Sequence, residues 1–197
     1  MATESTPAKK DVQVKIQVPD PMIRGRFADQ ADVRFQAKAF SHECEVRFFA
    51  TKVDDSKGAV HDYVYGPVVL LPENAKRLSV ALKQNLTRYT ARFGPTTQGG
   101  EAPSLEASGV CERERETDAP RLYANLVMVN HRPGEFTIDF IYSPPNPPFA
   151  RVVLRVIVAS ALARAFGKAL EAAVARYEEV HGLILLSQQT PPGTIVH

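Results

Sequence analysis

Little in this chain points to chemistry. Among 197 residues two are cysteine, Cys44 and Cys111. Cys111 lies in a polar stretch, so a structural disulfide is not expected and a reducing, cytoplasmic setting fits. The longest apolar run, Val152–Ala163, is interrupted by Arg155. It falls short of the roughly 20 apolar residues a membrane helix needs, so no membrane association is expected. The N-terminal stretch MATESTPAKKD has no apolar centre and does not read as a secretory signal. His42, His61, His131, His181 and His197 are scattered with no HxH, HExxH or CxxC spacing, which argues against a zinc site. No GxxxxGK[ST] or GxGxxG occurs, so no phosphate loop is visible. The net charge of +2 exerts no global pull toward nucleic acid or an anionic membrane. No catalytic, cofactor-binding or metal-binding residue is therefore predicted, and no cofactor.

What the chain does have is a repeated helix. Leu71–Gly94 reads LPENAKRLSVALKQNLTRYTARFG, and Ala159–Gly182 reads ASALARAFGKALEAAVARYEEVHG. The two align without gaps at a shift of 88 residues, with Ala75, Leu82, Tyr89 and Gly94 falling on Ala163, Leu170, Tyr177 and Gly182. In the first copy Ala75, Leu78, Leu82, Leu86, Tyr89 and Phe93 recur at three and four residues, the spacing of one apolar helix face. Pro72 suits the first helical position, and Gly94–Pro95 is a stop. The second copy is almost wholly apolar over Val158–Phe166, as expected of a helix packed on more than one side, against the first helix or a second subunit. Ser160 is its expected N-cap. With 44% hydrophobic residues, a packed core is expected.

Strands precede both helices. Val12, Val14, Ile16 and Val18 alternate with polar residues up to Pro19, followed by a loop, PDPMIRGRFADQ. Asp32–Phe40, a turn at Ser41–Glu43 and a strand from Cys44 read as a hairpin. Cys44, Val46 and Phe48 share its apolar face, which makes Cys44 a buried thiol rather than a nucleophile beside His42. Val53–Gly58 is a loop, and Val60–Leu71 a fourth strand kinked at Gly66–Pro67. Residues 95–119 read as a flexible linker, with a short helical turn at CERERET. Leu122–Asn130, a turn at HRPGE, Phe136–Phe140 and Phe149–Val158 form the second set of strands. His42 and His131 fall at the hairpin turns and are read as turn residues. Asp139 is expected to pair with an arginine or solvent, and Asn125, on one strand face with Tyr123, to cap a hairpin or, as the alternative, to bind a ligand. Leu183–Leu186 reads as either a short strand or a packing segment. The expected organisation is a tail (1–11), a first sheet-plus-helix unit (12–94), a linker (95–119), a second unit (120–186) and a second tail (187–197). The fold class is α+β, two tandem antiparallel sheet units, each followed and closed by one C-terminal helix.

These residues resemble a small bacterial family, domain of unknown function 3467. The strand half of its pattern is similar to Tyr123-Ala124-Asn125, Phe136-Thr137-Ile138-Asp139-Phe140 and Ala150-Arg151-Val152-Val153. The helix half is similar to Pro72–Leu78, Asn85, Arg88-Tyr89 and Phe93-Gly94. Each unit departs where the other matches, so the resemblance implies a tandem duplication with drifted halves, a covalent pseudo-dimer. It implies no activity and supplies no catalytic residues.

One surface stands out by charge. Lys76, Arg77, Lys83, Arg88 and Arg92 give the first helix a basic surface, near Arg24, Arg26, Arg34 and Lys38. The expected function is a non-enzymatic protein-interaction module, an adaptor or chaperone-like binder, with a protein partner and self-association. The alternative is weak nucleic-acid binding through that basic face.

Overall fold

The computed structural model describes residues 15–19, 25–38, 41–54, 59–95, 111–113, 120–145 and 149–186. In chain order its elements begin with β1 (Lys15–Gln17), β2 (Arg26–Ala28), β3 (Gln30–Lys38), β4 (Ser41–Asp54), β5 (Ala59–Leu70) and α1 (Pro72–Phe93). They continue with β6 (Cys111–Arg113), β7 (Leu122–Tyr123), β8 (Leu126–Arg132), β9 (Glu135–Tyr142), β10 (Phe149–Ala159) and α2 (Ser160–His181). The fold is α+β, with two sheets and two helices, and each helix follows its strands as the duplication requires. β3-β4-β5 and β8-β9-β10 are antiparallel meanders. Both helices end at a glycine whose N–H bonds back into the last turn, Gly94 to the Thr90 carbonyl and Gly182 to that of Glu178.

The outer edge of the third strand of each meander would otherwise present unpaired N–H and C=O groups. Each half supplies the cover for the other. β1 and β2, from the start of the chain, run parallel to β10 of the second half. β6 and β7, from the start of the second half, run parallel to β5 of the first. The exchange follows the repeat: Val68 and Val156, one repeat shift apart, take Leu122 and Arg26 as partners. Gly66 holds a positive φ of 70° in β5, beside the register shift between Val46 and Phe48. A Cβ there would stand 3.1 Å from Leu122 Cδ1, so a residue of the second half closes on a bend of the first.

The helices are exchanged too. Besides each other, α1 packs chiefly on β8 and α2 chiefly on β3, the leading hairpin strands of the opposite halves. Tyr89 accepts a hydrogen bond from the Gly134 N–H at 3.1 Å, and its ring lies 5.2 Å from that of Phe136. Tyr177, its repeat equivalent, meets His42 Nδ1 at 2.5 Å and stacks 4.8 Å from Phe35. One core results, holding Phe48, Val68 and Leu70 of one sheet, Phe136, Ile138 and Phe140 of the other, and Leu78, Leu82, Phe166 and Leu170 of the helices. Phe48 sits 5.8 Å from Phe140 and 5.3 Å from Phe166. A fully buried side chain of this size contributes about 1.5–3 kcal/mol, so neither half retains its core without the other. A smaller cluster of Ile16, Ile141, Ala150 and Val152 joins β1 to the second sheet.

Several local expectations change. The loop after Pro19 contains β2, and the CERERET stretch contains β6 rather than a helical turn; both strands form because an edge of the other half receives them. Leu122–Asn130 is broken at Ala124–Asn125, because β7 pairs with the first sheet and β8 with the second. Asn125 bridges that break, donating to the Ser143 carbonyl at 2.6 Å and accepting from its N–H at 2.8 Å. Ser41–Glu43 lies inside β4, since Lys38 pairs with Ser41, and His42 and His131 are strand residues packed against the tyrosines. Ser160 is the first helical residue; Ala159 holds the N-cap position without a side-chain bond. The helices do not chiefly roof their own sheets. Residues 96–110, most of the expected linker, lie outside the described residues, as does the Cys111 side chain.

Asp139 is buried on the outer face of β9 and takes a two-pronged bond from Arg155, 2.6 Å from Nε to Oδ1 and 2.8 Å from Nη2 to Oδ2. The hydrogen bond to Asp139 raises the Arg155 pKa, against the opposing effect of burial. Asp139→Ala removes the two-pronged bond to this partly buried guanidinium and is expected to cost about 1.5–3 kcal/mol in urea unfolding, whereas Asp139→Leu with Arg155→Met is expected to be near neutral. A protease site placed between residues 98 and 101 tests the exchange: the cut halves are expected to co-elute as a pair, and each half alone to lose its cooperative thermal transition.

Candidate interaction groove

The five basic residues predicted on α1 do not act as one surface. Lys76 bonds Glu178 of α2 at 2.6 Å. Arg77 bonds Glu73 one helical turn earlier at 2.5 Å. Lys83 bonds Glu171 at 2.8 Å. Arg88 is exposed with no ion pair among the described residues, and the Arg92 guanidinium lies 5.2 Å from the Phe93 ring centroid. Of the neighbouring cations, Arg34 bonds Asp32 and Arg26 lies over the Tyr65 ring. Arg24 and the Lys38 side chain lie outside the described residues. Three of the five are thus neutralised by carboxylates, two of them by the second helix. The periodicity of α1 alone gives no signal of this.

Lys83 and Glu171 are separated by 88 residues, the repeat shift itself. In a symmetric pair of identical helices this position would meet its own copy, like charge on like. Divergence has made it an opposite pair, although both side chains are largely exposed and the bond contributes little stability. Here the helices cross. Gly167 of α2 permits the approach: a Cβ would stand 3.3 Å from Leu86 Cδ1.

On one side of the crossing, the C-terminal half of α1 and the N-terminal half of α2 leave a groove of about 540 Å³. Leu86, Thr87, Thr90 and Ala91 line it from α1, and Arg164, Gly167 and Lys168 from α2. The Thr87 and Thr90 hydroxyls donate to the Lys83 and Leu86 carbonyls of their own helix, which leaves their lone pairs facing outward as acceptors. Arg164 and Lys168 have no ion pair among the described residues. The volume falls within the range of ligand-binding clefts. Sequence reasoning missed this site because it needs both helices: in sequence Arg164 and Lys168 belong to a helix that also carries Glu171, Glu178 and Glu179, with no excess of either sign to mark them out.

On the other side of the crossing the equivalent space is taken. Ile184, just beyond α2, is packed against the core. Its N–H donates to Glu178 Oε1 at 2.9 Å, and its carbonyl accepts from Lys76 Nζ at 2.8 Å. Leu183–Leu186 is thus a packing segment and not a strand. The hydrogen bond from Lys76, followed by that from the Ile184 backbone, holds the Glu178 carboxyl below its ordinary range.

The other titratable groups are structural. Burial, with the Glu45 carboxylate second, pushes the Cys44 thiol up to about 12, so it stays protonated at neutral pH. Glu45 is buried and held by Arg47, with Arg121 at 3.5 Å. Burial also raises the Tyr177 hydroxyl. Among the described residues no group of three His, Cys, Asp or Glu is placed to hold a metal ion, and no helix is long and apolar enough to cross a membrane.

A folded-state pKa below the unfolded one makes Glu178 stabilising above the ordinary glutamate range, near 4.3, and that contribution is lost as pH falls through the folded value. Thermal melting of Glu178→Gln is therefore expected to show a deficit against wild type at pH 7 that shrinks as pH falls below the ordinary glutamate range. A pH-independent deficit would contradict the ion-pair account.

No curated protein and no solved structure matches the chain. The model of one family, described as Protein of unknown function (DUF3467), matches it twice, over residues 1–98 and 100–186. The two matches divide the sequence where the repeat does, so the chain belongs to the DUF3467 family and carries its domain as two tandem copies.

Proposed function

We propose that this protein is a non-enzymatic protein-interaction module, adaptor-like or chaperone-like, working in the cytoplasm. The observation that carries this reading is the groove between the helices. It has an apolar floor at Leu86, Ala91 and Gly167, a polar rim, and walls that the shared core holds in place. A preformed cleft binds without a large ordering cost. Self-association belongs to the same reading: Val180, Leu183 and Leu185 are exposed together where α2 ends.

The nucleic-acid alternative draws on the basic face of α1. The carboxylates on Lys76, Arg77 and Lys83 favour the protein-binding reading, since a phosphate backbone would have to displace them. Salt-sensitive binding to a DNA or RNA duplex that disappears on Arg88→Ala with Arg92→Ala would reverse that preference.

Selection of the intact protein against a displayed random-peptide library tests the proposal. Enrichment of a peptide class is expected, with micromolar to millimolar binding to the purified protein, roughly −8 to −4 kcal/mol. A library that yields no binder above background would overturn the proposal.

A further inference from the structure

The repeat supplies a template for what the groove holds. Mapping each groove residue through the shift of 88 residues carries it onto the opposite side of the helix crossing. Arg164 falls on Lys76, Thr90 on Glu178, Leu86 on Val174 and Lys168 on Val80. Ser79 and Gly167 exchange places, as do Lys83 and Glu171, so the two sides are related by the same approximate two-fold that relates the halves. On that opposite side the space is filled by an extended piece of this chain. Ile184 turns inward, with Leu183 and Leu185 outward at 79% and 84% exposure, and its N–H and C=O are gripped by Glu178 and Lys76.

We infer that the open groove receives an extended aliphatic peptide segment of a partner protein, bearing a carboxylate, in the manner in which Ile184 is held on the other side. This deepens the proposed function and rests on it. The backbone grips are present in altered form. Arg164 holds the repeat position of Lys76, which donates to the Ile184 carbonyl, and Thr90, whose hydroxyl donates to the Leu86 carbonyl and can still accept, holds that of Glu178, which accepts from the Ile184 N–H. The floor at Leu86 and Ala91 replaces Val174 and Glu179, an apolar seat for one inward side chain.

The charge balance then selects the occupant. On the filled side the ammonium of Lys76 is offset by Glu178. On the open side Thr90 brings no charge, while Arg164 and Lys168 have no ion pair among the described residues. Glu171 also lines the groove but is held by Lys83, so among the described residues no carboxylate is left for Arg164, and we take it to come with the ligand, as an acidic side chain or a C-terminal carboxylate bound by the Arg164 fork. This chain does not offer the segment at the equivalent place in its own sequence. One repeat shift before Leu183-Ile184-Leu185-Leu186 stand Pro95-Thr96-Thr97-Gln98, with a polar threonine where the seat takes isoleucine.

The probe is a fluorescein-labelled hexapeptide, Gly-Leu-Ile-Leu-Leu-Asp, titrated with the intact protein and followed by anisotropy. Saturable binding is expected. Thr90→Trp, which fills the groove from an exposed helix position, and Arg164→Ala, which removes the fork, are each expected to weaken it about tenfold or more. The same peptide ending in Lys with an amidated C-terminus, which carries no carboxylate, is expected to bind as weakly. The protein contains no tryptophan, so Thr90→Trp also reports on the groove by its own fluorescence, and circular dichroism establishes that it is folded. Absence of binding, or binding unchanged by both substitutions, overturns the inference. Peptides enriched by display that bind as amphipathic helices, or that ignore Thr90→Trp, overturn it too while leaving the interaction module standing. An empty display selection overturns both.

Discussion

An unpaired strand edge is the constraint from which this structure follows. β5 and β10 each run directly into a helix, and each meander leaves their outer edges without partners. The leading strands of each half do not pair there with their own sheet. The leading segment of the other half does the covering, in parallel register, on both sheets. Once those segments cross over, the helices follow, and the core closes from both sequences at once. The mixed sheets, antiparallel within a half and parallel across halves, record that exchange.

The exchange also explains where the two copies have drifted and where they have not. Tyr89 and Tyr177 remain because each anchors a helix end on the opposite hairpin through its hydroxyl and ring. Near the two-fold axis identical residues would face each other, and there the copies differ: lysine against glutamate at 83 and 171, serine against glycine at 79 and 167. A homodimer must satisfy such positions with one residue type. A fused pair can place unlike residues opposite each other, and here that freedom has produced two unlike sides of the helix crossing. One is filled and charge-balanced by Lys76, Glu178 and Ile184; the other is an open groove rimmed by Arg164 and Lys168.

The proposed function draws on the asymmetry. Residues that the symmetry requires, such as Phe48 against Phe140, serve the core. Cys44, the most reactive residue type within that core, is kept protonated by its burial. The groove, by contrast, has an apolar seat, threonine hydroxyls and two cations, Arg164 and Lys168, with no ion pair among the described residues, and these features support the proposed peptide binding.

Local pattern was enough to show both helices to within a residue or two, the alternating strands around them, the burial of Cys44 and the doubling of the chain. Helical and strand periodicities depend on neighbours a few residues away, and a gapless repeat is visible without coordinates. The short strands β2 and β6 were not visible, because three residues such as Arg26–Ala28 or Cys111–Arg113 are too few to show alternation and are ordered only where a distant edge offers hydrogen bonds. The basic helix face was visible as charge but not as ion pairs, since Glu171 and Glu178 stand 88 and 102 residues from the lysines they hold. The groove belongs to neither helix alone. It exists because two faces, each ordinary in sequence, are brought together at a crossing that only the shared core positions.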